Sequence, residues 1–494
     1  MEANPITISE KPSVMMEENK YEQDPEDPQV VQYDPALIKR AIRKVDYAIL
    51  PILTLIYLCS SLDKSNLGNA KSLGLVKDIG GDPHGKKYAF LNSLYYISYS
   101  PFMVPFALLG KKTRMGKLLA CAACFWGIAA TCFSAVQNFS GAYACRFLIG
   151  LGEAAFVPLI QVYLSRFYTR RRLGTRVAIW LAMAPMGGFF NGIIAYGVAH
   201  IHSKHLESWR ILFLIEGGAT LVVGAFALYW LPEGIPTWRI LSKEEKDYLM
   251  YERSLDYAAE SHKINWKHAL ACAYRWQQVL PALSNMCQQI TGAALSAYLP
   301  TFTAENGFTG ATAQIATLAP YGAAAVSMVI CAYFSDRMRD RGTWTQVGWA
   351  LEIVAFAIWL GVPASAHKAR FAALVLAEVG HYICTPLIVT WQANNAGNES
   401  RRAVAVPGAV SLAQAVAVGS GYLFPSTDGP KYSMGSAVIL ALSCAGAGFT
   451  GLYQFMIWRE NKKRDDREGG PPAPDFTPDT ATYADDAPGF RYMK

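Results

Sequence analysis

Twelve apolar runs, each about as long as a bilayer is thick, constrain this chain more than any other feature. A helix needs about 20 residues to cross the hydrocarbon core, because it rises about 1.5 Å per residue. The runs, numbered here as spans 1 to 12, predict an all-α membrane protein with twelve transmembrane helices. They lie at about 47–69, 88–109, 117–136, 144–163, 177–199, 210–231, 279–301, 314–334, 345–363, 371–392, 404–424 and 436–457.

The composition agrees with a membrane protein, because 52% of the 494 residues are hydrophobic and only 17% are charged. The net charge of +7 does not indicate a nucleic-acid partner. The basic residues instead cluster at the ends of the apolar runs, where cytoplasmic loops place them.

One long internal loop, residues 232–278, divides the spans into two groups of six. We expect an N-terminal half at 46–231 and a C-terminal half at 279–458. The tails at 1–45 and 459–494 are polar and are predicted to be disordered and cytoplasmic. Inside the loop, Ser242 and Glu245 form a capping box that predicts a polar linking helix.

The loops also predict which way the chain crosses the membrane. An even number of spans puts both tails on one side, and most loops on that side are rich in Lys and Arg. The positive-inside rule therefore places both termini in the cytoplasm. The first outer loop is an exception, since it contains Lys71, Lys77, Lys86 and Lys87.

Span 4 is the most informative run, because two charges interrupt the segment RFLIGLGEAAFVP. Arg146 and Glu153 are separated by about two helical turns and share one face. A charge within a span costs several kcal/mol unless it faces protein or a water-filled cavity, so both residues are functional candidates. The alternative is that Arg146 lies at the membrane surface and Glu153 forms a structural ion pair.

The motifs of common enzymes are missing from the sequence. It has no His-x-x-x-His, P-loop or G-x-S-x-G pattern. Most of the 10 cysteines lie inside apolar runs, which argues against a disulfide framework. We therefore expect neither an enzyme nor a bound metal or cofactor.

Five segments carry a resemblance to a known family. They are YLCSSLDKSNLGNAK from Tyr57, the span-4 segment, WRILFLIEG from Trp209, YLPT from Tyr298 and WQANN from Trp391. Together they resemble the major facilitator superfamily, and more narrowly the fungal allantoate-permease branch of its anion:cation symporters. Lys64 stands where that branch usually has Arg, which keeps the charge but loses the flat bidentate guanidinium.

The resemblance implies proton-coupled import of a small organic anion such as nicotinate, pantothenate, biotin or allantoate. It also implies a major facilitator fold. The expected partners are the anion, protons and the lipid bilayer. We expect a monomer in the plasma membrane.

An anion crossing a bilayer needs a cationic partner where water is scarce. Lys64 and Arg146 are the candidates for that partner. Proton coupling needs a group that changes its charge, and Glu153 is the first candidate and His381 the second. If Glu153 pairs with Arg146, a substrate carboxylate that captures Arg146 would favour protonation of Glu153.

Other polar residues in the spans have two interpretations. Gln288 and Gln289 contact substrate from the second half, or they bond one helix to another. His381 can be a satisfied bundle histidine, and Asp63 can pair with Lys64 or with nearby asparagines. The residues assigned to structural or gating motifs are Asp63, Asn66, Asn69, Asp336, Arg337, Trp391 and Asn395.

Two rival functions stay open. One is export of an acidic secondary metabolite, although span 5 reads APMGG and departs from the G-P-x-x-G-G pattern of proton-coupled drug exporters. The other is a transporter-like nutrient receptor, which usually has longer cytoplasmic extensions than this chain.

Overall fold

A computed structural model describes residues 33–201, 203, 205–258, 274–308, 311–397, 399–472, 478 and 483–493. These residues form helices and connecting loops and contain no β-strand. Residues 1–32 of the predicted N-terminal tail and residues 259–273 of the central loop lie outside the described part.

The N-terminal half contains six long helical segments, of which the fourth and fifth are each broken into two helices. A polar helix of the central loop follows them. The elements are α1 (Pro35–Ser72), α2 (Leu75–Asp78), α3 (Lys86–Lys112), α4 (Met115–Phe133), α5 (Phe139–Glu153), α6 (Phe156–Ser165), α7 (Arg170–Leu181), α8 (Met183–Ala199), α9 (Ser208–Trp230) and α10 (Lys243–Ala258).

The C-terminal half repeats this arrangement, with its second segment broken and its fifth ending in a 3₁₀ turn at Ala417–Tyr422. Two further 3₁₀ turns lie at Ser426–Asp428 and Ala484–Asp486. The helices are α11 (Trp276–Glu305), α12 (Ala311–Ala316), α13 (Leu318–Met338), α14 (Arg341–Gly361), α15 (His367–Asn394), α16 (Glu399–Val416) and α17 (Ser433–Glu468).

Ten segments of the described chain are both long enough and apolar enough to cross a membrane. The other two, α3 and α11, are 27 and 30 residues long but more polar. Their polar side chains, such as Asn92, Asn285 and Gln288, are buried inside the protein rather than turned to lipid. The predicted twelve-helix, all-α fold is confirmed.

Proline explains the three breaks within spans. A proline cannot donate the backbone hydrogen bond to the residue four positions earlier, which weakens the helix there; at these three positions the helix is interrupted, whereas it continues through Pro51 of α1 and Pro101 of α3. Pro158 removes the bond to Ala154, just where α5 ends, and Pro185 and Pro320 do the same between α7 and α8 and between α12 and α13. The first break follows Glu153 directly.

The two halves meet at the end of the bundle opposite the chain termini, which we call the far end. One hydrophobic core there includes side chains of both halves, among them Tyr88 and Tyr298. At the terminal end the N-terminal half has a core of its own, and so does the C-terminal half. The far end is therefore the sealed end in this conformation.

The predicted linking helix α10 is anchored to α1. The capping box forms as predicted: the backbone N–H of Ser242 donates to Glu245 at 2.8 Å, and that of Glu245 donates to Ser242 at 3.3 Å. The buried Glu245 carboxylate also accepts from Arg40 at 2.8 Å and Lys44 at 2.9 Å. These contacts hold the central loop against the N-terminal half.

Both predicted tail boundaries need correction. Helix α1 begins at Pro35, where the Asp34 side chain caps it by accepting from the backbone of Ala36, so residues 35–45 are helical rather than disordered. Helix α17 continues to Glu468, beyond the predicted boundary at residue 458. Residues 483–493 then pack against the terminal end of the C-terminal half, where Asp485 and Tyr492 are buried.

Candidate functional site

The centre of the N-terminal half is built around Glu153, whose side chain is completely buried at the end of α5. Its Oε2 accepts hydrogen bonds from the Ser60 hydroxyl at 2.5 Å and from the Tyr95 hydroxyl at 2.8 Å. Its Oε1 has no hydrogen-bond partner within the described residues. Helices α1, α3 and α5 therefore meet at this carboxyl group.

Arg146 lies on the same helix and is also buried. Its guanidinium donates to the backbone carbonyl of Asp63 at 3.2 Å and lies 4.8 Å from the centroid of the Tyr95 ring. No ion pair joins Arg146 to Glu153 in the described chain, so the condition considered from the sequence is not met in this conformation. Two helical turns, about 10 Å, separate them, and Tyr95 contacts both.

Lys64 supplies the second cation of this centre. Its ammonium lies 5.5 Å from the centroid of the Tyr99 ring, and the charges of Glu153 and Arg146 both act on it. Within the described residues Lys64 forms no ion pair. Lys64 thus contacts an aromatic ring, and Arg146 contacts an aromatic ring and a backbone carbonyl. Each of the two cations is able to bind a substrate carboxylate.

Among the described residues Asp63 pairs with neither Lys64 nor the nearby asparagines. Both carboxylate oxygens of buried Asp63 lack a hydrogen bond to the described chain, and so does the side chain of Asn66. Asn69 instead donates to Asn191 of α8 at 2.5 Å, which fastens α1 to α8. Glu216 of α9 is a second buried carboxyl whose two oxygens have no hydrogen bond among the described residues, and its charge interacts with that of Asp63.

The C-terminal half has a different centre, in which Gln288 and His381 do come together. The Gln288 amide lies 2.7 Å from Nδ1 of His381 and donates to Glu352 at 3.2 Å. Glu352 also accepts from the Ser443 hydroxyl at 2.9 Å. Nδ1 of His381 lies 3.9 Å from Glu352, so one network links α11, α14, α15 and α17.

Gln289 lies beside this network on α11 and is half-buried. Unlike Gln288, it forms no hydrogen bond with the described part of the chain through its amide. Glu378, one turn from His381 on α15, is buried, and its charge interacts with that of Glu352.

The remaining motif residues lie at the terminal end of the C-terminal half. The Trp391 indole donates to the backbone carbonyl of Met493 at 2.8 Å, and Asn395 accepts from the Met493 backbone at 2.8 Å. The WQANN segment therefore binds the C-terminal residues of the chain, which fold back against this half. Asp336 forms an ion pair with Arg341, while Arg337 donates to the hydroxyl of Tyr333 at 3.4 Å.

Sequence reasoning missed Ser60, Tyr95 and Glu352. A signal existed for two of them: Glu352 is a charge within span 9, and Tyr95 belongs to the tyrosine-rich stretch LYYISY. Ser60 had no such signal, because single hydroxyl groups are common in membrane helices.

Comparison with known proteins identifies the fold and the family. Residues 53–422 match the Major Facilitator Superfamily. An uncharacterized transporter of Schizosaccharomyces pombe is 31% identical, over 87% of this chain and 85% of that protein. The high-affinity nicotinic acid transporter of Saccharomyces cerevisiae is 29% identical, over 92% of this chain and 85% of that protein.

Among solved structures, a D-xylose–proton symporter has a TM-score of 0.65 at 15% identity, covering 82% of this chain and 97% of that one. A bacterial homologue of the human lysosomal transporter Spinster has a TM-score of 0.62 at 14% identity, covering 85% of this chain and 98% of that one. These structures have the same overall fold as this chain. The chain therefore belongs to the Major Facilitator Superfamily and is a membrane transporter rather than an enzyme.

Proposed function

We propose that this transporter takes up a small organic anion together with protons. One observation carries the proposal: Lys64 and Arg146 belong to the same centre as buried Glu153, yet within the described chain neither cation forms an ion pair. A cationic side chain in the interior of a membrane protein costs free energy, and such residues usually mark a substrate site or an ion pathway. A carboxylate substrate would supply the missing partner.

In the proposed mechanism the substrate carboxylate binds between Lys64 and Arg146. Gln288 and His381, from the second half, are the proposed polar contacts to the rest of the molecule. Glu153 carries the coupled proton, and His381 is the second candidate for that role. Tyr95 connects the two events, because its ring faces Arg146 and its hydroxyl donates to Glu153.

Tyr95 gives a physical route from anion binding to proton binding. An anion that draws Arg146 away from the Tyr95 ring changes the position of the hydroxyl that donates to Glu153. A carboxylate that loses a hydrogen-bond donor in a buried site holds a proton more readily. Binding of the anion would therefore favour binding of the proton.

The substrate class we favour is a small aromatic or aliphatic monocarboxylate, with nicotinate as the first test compound. Support comes from the similarity to a nicotinic acid transporter along most of the chain. Aromatic rings suit a flat substrate, and three tyrosines pack together here: the Tyr95 ring centroid lies 5.1 Å from that of Tyr96 and 5.4 Å from that of Tyr99.

Uptake of labelled nicotinate into proteoliposomes tests the proposal. We expect accumulation when the outside is acidic, and little accumulation when the pH is equal on both sides. Efflux against the gradient, with no uptake, would contradict import and favour export of an acidic metabolite.

We further propose a monomer in the plasma membrane with both termini in the cytoplasm. Ser242 on the central loop and Ser365 between α14 and α15 are both exposed and lie at opposite ends of the bundle. In a variant without exposed native cysteines, an impermeant thiol reagent should label Ser365→Cys from outside intact cells and leave Ser242→Cys unlabelled. The reverse pattern would contradict this orientation.

A further inference from the structure

The far end of the bundle contains the lysines that depart from the expected charge pattern. Loops on the outer side of a membrane protein usually carry few basic residues. Here Lys71, Lys77, Lys86 and Lys87 lie in or beside the first loop. Lys71 stands out among them, because it lies at the contact between the two halves.

We propose that Lys71 is an outer anion site, shut in this conformation by two tyrosine rings and opened when the halves separate at the far end. Its ligand is the carboxylate of the incoming substrate. The choice of ligand rests on the proposed function, whereas the shutting of the site rests on the contacts alone.

Two aromatic rings from different halves enclose the Lys71 ammonium. It lies 4.6 Å from the centroid of Tyr88 on α3 and 4.7 Å from the centroid of Tyr298 on α11. A cation within about 6 Å of a ring centroid is attracted to the ring face. Since Lys71 and Tyr88 belong to one half and Tyr298 to the other, separating the halves removes one of the two rings.

The surroundings show that the site is closed. The Tyr88 hydroxyl donates across the boundary to the carbonyl of Ala297 at 3.2 Å. Gly68 of α1 lies so close to α11 that a Cβ there would be 2.8 Å from the same carbonyl oxygen. The cavity lined by Lys71, Tyr88 and Tyr298 measures about 40 Å³. That volume admits water, while organic ligands need about 300 Å³ or more.

Lys71 is not paired with an anionic side chain of the described chain, so its ammonium is available to bind an incoming anion when the site opens. It forms no ion pair within the described residues, although the charges of Asp82 and Glu305 act on it. Asp82 is already engaged, since it accepts from the backbone N–H of Tyr88 at 2.8 Å. Once Tyr298 withdraws, a carboxylate is the stronger partner for the ammonium. The exposed Lys77 adds to the attraction of anions.

Lys87 provides a matched control. Its ammonium lies 5.1 Å from the centroid of the Phe139 ring, so it also makes a cation–π contact at the far end. Both residues of that contact belong to the N-terminal half, however. Its loss should leave the contact between the halves unchanged.

Distance measurements test the closed contact directly. Spin labels at the exposed positions Lys77 and Ser365 report on the two halves at the far end. In the full-length protein in lipid nanodiscs, Lys71→Gln should shift a measurable fraction of molecules to longer distances. Lys87→Gln should give the wild-type distribution. A wild-type distribution for Lys71→Gln would overturn the proposed closing contact.

Uptake kinetics test the ligand. With labelled nicotinate outside, we expect Lys71→Gln to raise the KM by about fivefold and to weaken its dependence on ionic strength, as loss of a steering charge does. Lys71→Arg should stay near wild type. An unchanged KM for Lys71→Gln would overturn the anion site. If the wild type carries no nicotinate, the proposed function fails instead, and the distance measurement still decides whether Lys71 closes the far end.

Discussion

The centres of the two halves use buried carboxyl groups in opposite ways. In the N-terminal half, Glu153 lies near two cations and is linked to one of them through Tyr95. In the C-terminal half, Glu352 is surrounded by Gln288, His381 and Ser443, with no Lys or Arg paired to it among the described residues. One centre is charged and only partly paired, and the other is closely hydrogen-bonded.

This difference suggests a division of labour between the halves. A charged group with unfilled hydrogen-bonding capacity can respond to a ligand, whereas a network whose members already bond one another favours a fixed arrangement. We infer that the N-terminal centre binds the anion and the proton, and that the C-terminal centre mainly shapes the site. The predictions below test this contrast.

The largest effect is expected at Lys64. Lys64→Ala removes a charged contact to the substrate, worth about 1.5–3 kcal/mol, so kcat/KM for nicotinate should fall by roughly tenfold to over a hundredfold. Lys64→Arg keeps the charge and should retain part of the activity. Uptake assays with surface expression measured in parallel check this result. Wild-type uptake by Lys64→Ala would show that the residue does not contact substrate.

A smaller effect is expected at Glu352. Glu352→Gln keeps the shape of the side chain and can still accept a hydrogen bond from Gln288. Loss of one hydrogen bond in this network costs about 1 kcal/mol, so we expect kcat/KM to fall by less than about tenfold. Accumulation against a gradient should be preserved. Ser443→Ala is the control for loss of one bond in the same network. Loss of accumulation in Glu352→Gln would show that the C-terminal half takes part in proton coupling, and it would contradict the proposed difference between the two halves.

The smallest effect is expected at Glu245, outside the membrane. Burial alone would raise the pKa of Glu245, but hydrogen bonds from Lys44, the Ser242 backbone and Arg40 outweigh burial and lower it. A lowered pKa means that the carboxylate stabilises the fold above the ordinary Glu pKa of about 4.3 and loses this effect as the pH falls further.

Glu245→Gln should therefore lower the melting temperature by a few degrees at pH 7, and by progressively less below pH 4. Melting curves of the purified protein at several pH values check this. Uptake of nicotinate should persist in this variant, since Glu245 lies outside both centres. A difference from wild type that grows as the pH falls would contradict the assigned contacts.

The sequence predicted the fold and the charged part of the site because both leave strong signals. An apolar run of 20 residues has few alternatives to a membrane helix, and a charge such as Arg146 or Glu153 within it is conspicuous. The same rule applies to Glu352, which is a charge within span 9.

Other features depend on distant parts of the chain and could not be predicted from local patterns. Tyr95 joins Arg146 to Glu153 only because α3 packs beside α5. The acidic, proline-rich C-terminal segment has the composition of a disordered tail. Asp485 is nevertheless buried there, because Arg275 and Arg401 from two helices converge on it.

The central claim, that Glu153 carries the coupled proton, is tested most directly with Glu153→Gln. The amide resembles the protonated carboxyl group and cannot release a proton. In proteoliposomes, exchange of internal for external nicotinate at equal pH should persist within a few-fold of wild type, because exchange needs no net movement of protons. Accumulation driven by an acidic outside should be lost, with a normal melting curve showing that the variant is folded. Accumulation equal to wild type would contradict the account and transfer the coupling role to His381.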